Sequence, residues 1–309
     1  MRSRVLKRLS QLNARVRTHY DNERYMINKL VKAIRTSCNF SIDGEVELFR
    51  KTAIELTNHL PAIFIDETHG GNVCNVEFDS IKNTIETCEI SDLLIVVVDN
   101  KRKCARATFW QAKQEKKSKW VSQYAGNTDG SFDFKAQFNQ WELLSYRPEV
   151  RPTPNFSPPK DILASPFSPS IGSFGVFYEK NNLLELNYSV AEMVSSTSFN
   201  PASSRFTINE KLSQYFAWES EVLVRKDLES FLTALINFQI GSLIIPQHSS
   251  HQWLISYVQK QMSSSKSIRY SNSAFNPNLA LFKGVPKVDI DDSNGGLSIL
   301  VIDVTELES

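Results

Sequence analysis

The stretch Ser91-Asp92-Leu93-Leu94-Ile95-Val96-Val97-Val98-Asp99-Asn100-Lys101-Arg102-Lys103-Cys104-Ala105-Arg106-Ala107-Thr108-Phe109-Trp110-Gln111-Ala112-Lys113 decides the fold. Residues 90–98 are rich in Ile, Val and Leu and predict a buried strand, residues 99–103 are a polar turn, and residues 105–112 predict a returning strand. With the turn centred between Lys101 and Arg102, Asp92 lies opposite Gln111. Directly opposed residues share a face, with Cβ atoms about 4.5–5.5 Å apart. Lys113, two residues beyond Gln111, points to the same face. Three polar side chains thus converge at the open end of an apolar hairpin. Burying them is costly unless something pairs them, so the hairpin predicts a functional site.

Upstream, residues 43–59 read as a helix. Ser41 or Asp43 can cap it, Glu45 and Glu47 suit its positive first turn, Val46, Phe49, Ala53, Ile54 and Leu56 form its apolar stripe, and Pro61 stops it. A Gly70-Gly71-Asn72 turn then leads into a strand over residues 73–78. Residues 3–36 predict one or two basic helices, with Val5, Leu9, Leu12, Val16, Tyr20, Leu30 and Ile34 at three- and four-residue spacing. Such a segment is either a solvated helix face or a phosphate-tracking arm. Downstream come a polar loop (113–130), a helix (134–146), a loop containing seven prolines (148–169) and a strand (171–178). Beyond residue 181, residues 221–245 and 252–262 look helical and residues 297–304 predict a strand. Three segments are expected: a basic helical arm (1–36), an α/β core (37–180) and a C-terminal region (181–309) that is mostly helical.

Across all 309 residues the formal charge is +1, which at first argues against a nucleic-acid partner. The total is a cancellation: residues 1–35 carry +8, residues 36–98 carry −8, residues 99–120 carry +6 and the rest −5. Basic blocks therefore flank an acidic one. Cys38, Cys74, Cys88 and Cys104 include no C-x-x-C pair, which excludes a zinc motif or disulfide framework and predicts free thiols. The basic N-terminus lacks the apolar core of a secretory signal, and no apolar run is long enough to span a bilayer, so a cytoplasmic protein without membrane contact is expected. Walker, G-x-S-x-G and dinucleotide-binding motifs are absent from the sequence, against an ATPase, a serine hydrolase or a dehydrogenase. His248 and His251 would share a helical face but have no third ligand in view.

A carboxylate, a second oxygen donor and an ammonium group suit metal-assisted phosphodiester hydrolysis. Mg²⁺ prefers oxygen ligands and keeps several waters. An ammonium group can position the attacking water or stabilise charge on the phosphate. In order and context, an acidic helix, an Asp in an apolar strand and a return strand ending Gln111-Ala112-Lys113 resemble the PD-(D/E)xK nuclease superfamily, in the Q-x-K form of Mrr-like restriction enzymes. The resemblance covers about residues 40–180 and implies a restriction-endonuclease-like core, a mixed sheet flanked by helices. It implies an Mg²⁺- or Mn²⁺-dependent DNA endonuclease, in the setting of bacterial anti-phage defence or restriction. Asp92 would be the metal ligand, Gln111 a weak ligand, Lys113 the catalytic ammonium, and Glu45 or Glu47 the helix carboxylate, with Glu55 a weaker candidate. Independently of the resemblance, the run Lys113, Lys116, Lys117 and Lys119 with Trp110 and Trp120 reads either as the lining of a DNA groove, which its position just after the site favours, or as a solvated loop. A protein partner from the same defence system and a homo-oligomer are both compatible with this expectation.

Two departures keep other readings open: Ser91 stands where the family has Pro, and Gln111 replaces a carboxylate. One alternative is a catalytically silent nucleic-acid-binding or adaptor subunit of the same fold. Another is an interaction protein in which Asp92 and Lys113 form only a cross-strand ion pair. Glu89, one residue before the strand core, is a candidate further ligand, although an exposed residue at a strand start is the favoured reading.

Overall fold

The computed structural model describes residues 2–66, 74–117, 119–122, 130–164, 169–196, 204–209, 221–264, 268–279, 283–286, 288, 290 and 296–307, the side chains of residues 2–19, 122, 169 and 204 excepted. Two helices, α1 (Arg2–Ser37) and α2 (Glu45–His59), precede the strands β1 (Ala62–Asp66), β2 (Asn75–Asp79), β3 (Ile85–Glu89), β4 (Leu93–Asp99) and β5 (Cys104–Glu115). Next come β6 (Val121–Ser122), β7 (Gly130–Ala136), α3 (Phe138–Tyr146), β8 (Val150–Arg151), β9 (Gly172–Lys180) and β10 (Leu183–Val190). The chain ends with β11 (Val194–Ser196), β12 (Ser204–Asn209), β13 (Val224–Arg225), α4 (Leu228–Ile236), β14 (Ser242–Leu243), α5 (Ser249–Ser263), β15 (Ile268–Ser271) and β16 (Ile299–Asp303).

The predicted hairpin is the centre of a nine-stranded sheet ordered β13-β10-β9-β5-β4-β16-β1-β15, with β14 also on β5. Its register matches the sequence reading, since Leu93 pairs with Trp110 and Asp99 with Cys104. The sheet is mixed: β9 runs parallel to β5 and β16 parallel to β4, while the other pairs are antiparallel. Every residue of β4 is buried, as a strand flanked on both sides requires. Strands from beyond residue 181 are integral to this sheet, β16 lying between β4 and β1. The sequence divide at residue 180 falls in the tight β9–β10 turn, where Asn181 and Asn182 take positive φ.

Smaller layers complete the molecule. The four-stranded sheet β11-β12-β7-β6 packs on the large one through Phe134 against Phe174 and Phe132 against Tyr178. A third sheet is ordered β3-β2-β8. In α1, Ile27, Leu30, Val31 and Ile34 are buried, while Tyr20 is exposed. Among the described residues no helix is long and apolar enough to cross a membrane.

Several local expectations change. The segment predicted as a helix over 134–146 splits: Phe132, Phe134 and Ala136 are buried in alternation and pair with β12, so they form a strand, and the helix begins at Phe138. The segment 221–245 keeps only α4 as helix, with β13 and β14 on either side, so strands are as much a part of the C-terminal region as helices. Neither Ser41 nor Asp43 caps α2. Its N-cap is Gly44, and the Asp43 carboxylate instead accepts from the Asn39 amide and pairs with Lys51. Val46 is exposed, and the buried stripe of α2 runs through Leu48, Phe49, Thr52, Ala53 and Leu56. The predicted turn at Gly70-Gly71-Asn72 lies outside the described residues.

One contact ties β9 to β5. A Cβ on Gly175 would fall 1.9 Å from Cζ2 and 2.1 Å from Cε2 of the Trp110 ring, which occupies the space a side chain would need. We expect Gly175→Ala to cost at least about 1–3 kcal/mol, because overpacking a filled core displaces neighbours. A melting curve checks this. Unchanged stability would mean that the ring can leave its seat.

Candidate active site at the open end of the β4–β5 hairpin

Asp92 sits one residue before β4. Its N–H donates to the Trp110 carbonyl at 3.2 Å, which extends the ladder and sets Asp92 opposite Gln111. Gln111 Nε2 donates to Asp92 Oδ2, and the Ala112 amide donates to the same oxygen at 2.7 Å. Gln111 is 1% exposed, and its Oε1 has no hydrogen-bond partner among the described residues. Two residues on, Lys113 is also buried, and its Nζ forms an ion pair with Glu45 Oε1 at 2.9 Å. Asp92, Gln111, Lys113 and Glu45 are therefore gathered at one end of the central hairpin.

Helical spacing explains why Glu45 and not Glu47 takes part. Glu45, Leu48, Phe49 and Thr52 lie at i, i+3, i+4 and i+7, the spacing of one helix face, and the last three are buried. That face packs toward the sheet and carries Glu45 to Lys113. Glu47 is half exposed and lies 3.8 Å from Lys51, one turn along the outer surface. Glu55 likewise pairs with His59, at 3.6 Å. At the first residue of α2, Glu45 also meets the positive end of the helix dipole.

Glu89 does not take the expected place of an exposed strand-start residue. It ends β3, is partly buried, and accepts from Cys74 Sγ at 3.3 Å. Burial pushes its carboxyl above the ordinary range, against the thiol hydrogen bond and the pull of Lys113, while Glu45 adds to the rise. Burial also pushes the Asp92 carboxyl up to about 7; Lys113 and the Ala112 amide oppose this, and the negative charges of Glu89 and Glu45 reinforce it. In the sequence β3 carries almost no apolar pattern that would mark it as a strand.

The donors gathered there are oxygen only: the carboxylates of Asp92 and Glu45 and the unpartnered Gln111 amide oxygen. That chemistry suits Mg²⁺ or Mn²⁺. Among the described residues, no three His, Cys, Asp or Glu side chains are drawn together closely enough to hold an ion unaided. Mg²⁺ is less demanding, since it retains waters and uses one or two carboxylates. Lys116, Lys117 and Lys119 follow β5 and are exposed. The two tryptophans are not a stacking platform. Trp110 is buried against Gly175 and Phe177, and Trp120 packs on Phe132 with the Lys226 ammonium over its ring.

The histidine pair is structural in character. The Ile245 amide donates to Nδ1 of buried His251 at 2.8 Å, which leaves the proton of the neutral ring on Nε2. Burial lowers this histidine to about 4, so it stays neutral, and neither nitrogen offers a lone pair to a metal.

No protein-family model matches this sequence, and no curated protein or solved structure matches it either.

A buried acid with a raised pKa has a consequence for stability. Between the ordinary Asp value of 3.8 and about 7, Asp92 holds its proton more tightly in the folded chain than in the unfolded one. Its burial therefore subtracts stability as pH rises through that window, and the loss is complete above it. We expect Asp92→Asn to stabilise the metal-free protein by about 1–2 kcal/mol at pH 8 and by much less at pH 5. Chemical denaturation at the two pH values reads the difference. An equal effect at both would show that the carboxyl is not shifted.

Proposed function

We propose that the protein is a divalent-metal-dependent nuclease that hydrolyses DNA phosphodiester bonds with a restriction-endonuclease-like core. The observation that carries this reading is the meeting of Asp92, Gln111 and Lys113 with Glu45, from a separate helix, at the end of a buried hairpin. A cross-strand ion pair of Asp92 with Lys113, the main structural alternative, is not what forms: Lys113 pairs with Glu45 and Asp92 accepts from Gln111 and Ala112.

Hydrolysis adds a water oxygen to phosphorus and breaks one P–O ester bond, the leaving oxygen taking up a proton. Asp92 and Glu45 supply anionic oxygens for Mg²⁺ or Mn²⁺, and the Gln111 amide oxygen is a neutral donor beside them. A cation held there would polarise the scissile phosphate and acidify a bound water. The Lys113 ammonium, oriented by Glu45, positions the attacking water and offsets negative charge developing on the phosphate. Lys116, Lys117 and Lys119 would neutralise backbone phosphates next to the site. By resemblance to Mrr-like enzymes, the biological setting we propose is bacterial restriction or anti-phage defence.

A second reading has one observation in its favour. Gln111 carries no charge where the family commonly has a carboxylate, which suits a silent DNA-binding or adaptor subunit. Plasmid DNA incubated with Mg²⁺ or Mn²⁺ separates the two. The nuclease reading expects cleavage by the wild type, loss of at least about 100-fold in Asp92→Ala and Lys113→Ala, and near-normal rates in Glu47→Ala. DNA binding without cleavage in both metals would favour the silent subunit. Equal cleavage by all variants would reject the site.

A further inference from the structure

We propose that Gln114 is a positioning residue of the candidate site, latching the entry of α2 onto β5 so that Glu45 meets Lys113; the inference rests on the nuclease reading above. Glu45 is the first residue of α2, and the N-cap before it is Gly44, which has no side chain to close the helix end. Gly44 is exposed, and a Cβ there would meet nothing within 4 Å, so packing does not seat this corner either. The adjacent Asp43 carboxylate is occupied with the Asn39 amide and Lys51. Leu48 and Phe49 seat the body of the helix, but they lie three and four residues beyond Glu45. The first turn of a helix frays readily unless something outside the helix fixes it. Here that support comes from β5.

Gln114 Nε2 donates to the Phe40 carbonyl at 2.9 Å and to the Asp43 carbonyl at 3.1 Å. A primary amide nitrogen carries two hydrogens, one for each carbonyl, and two acceptor partners fix the orientation of the amide. Among the described residues neither carbonyl accepts another hydrogen bond, so both depend on Gln114. Its neighbour Lys113 holds Glu45 Oε1 at 2.9 Å. Consecutive residues of β5 therefore grip one short segment, residues 40–45. The strand itself is fixed by its ladder, in which Lys113 pairs with Val176 and Gln114 with Phe177 of β9. The adjustable partner is the helix entry. Gln114 is uncharged and gives its amide protons to this loop, so its part in the chemistry runs through Glu45.

Acylation of lysines in the full-length protein, read at Lys113 by peptide mass spectrometry, tests the latch without any cleavage readout. Gln114→Met removes both donors at similar length, Gln114→Ala is a second variant, and Glu45→Ala is the reference for a Lys113 without its partner. We expect Lys113 to react slowly in the wild type and as fast in either Gln114 variant as in Glu45→Ala. Combining the two changes should make it no faster, because both act through one contact. A merely structural role for Gln114 would add to the effect of Glu45→Ala instead. Circular dichroism identifies the folded variants, and either Gln114 variant alone can decide the outcome. Plasmid cleavage with Mn²⁺ should show the same non-additive pattern, with Gln114→Met slowed about 10–100-fold, the range for groups that support a metal ligand. Wild-type labelling of Lys113 in a folded Gln114 variant would overturn the latch and leave the nuclease reading standing. Faster labelling with wild-type cleavage would overturn the positioning role. No cleavage by the wild type would overturn the nuclease reading, and the labelling pattern would still decide whether Gln114 places Glu45.

Discussion

The pairing of β4 with β5 is the constraint on which the rest of the structure depends. The ladder runs from Leu93 with Trp110 to Asp99 with Cys104, and its register cannot drift. A slip of one residue would turn every side chain to the opposite face and set Asp92 and Gln111 on different sides of the sheet. Both neighbours read that register. Strand β16 adds in parallel to β4, and β9 adds in parallel to β5, with the Trp110 ring seated on Gly175. The same ladder that excludes water from the centre of the protein brings polar groups together at its end.

The site stands at odds with stability. A carboxyl raised to about 7, a buried amide oxygen without a partner and a lysine with little exposure are arrangements that packing alone would not favour. Each costs free energy through lost hydration. The surroundings are correspondingly well determined: β4 is buried along its whole length and α2 is anchored by six buried side chains. Electrostatic strain set in a rigid apolar frame is a common mark of functional sites.

The hairpin was legible because its signals are local. An apolar run, a polar turn and a second β-rich run specify two adjacent strands, and simple alternation then puts Asp92 near Gln111. The α2 segment was legible for a similar reason, although its stripe was shifted: Val46 is exposed and Leu48 is buried. Phe134 and Ala136 misled because aromatic residues suit helix and strand alike, and only pairing with β12 resolves the choice. Strand β3 is not legible in the sequence because, with its exposed Ile85, it shows almost no apolar pattern of its own. The role of Trp110 was misjudged for the converse reason: an aromatic side chain near lysines reads as a stacking surface until its burial is known.

By itself the sequence determined the α/β class, the central hairpin with its register, and the three residues Asp92, Gln111 and Lys113 at its end, because neighbours in a hairpin are set by turn position and a period of two. Tertiary structure alone decided two things. Glu45 rather than Glu47 reaches Lys113, and a strand from the last residues of the chain completes the sheet beside β4. These depend on how a helix is rotated on the sheet and on pairings between residues as far apart as Leu94 and Ile299. Such long-range choices are set by packing and desolvation summed over the whole core, and no local pattern encodes them.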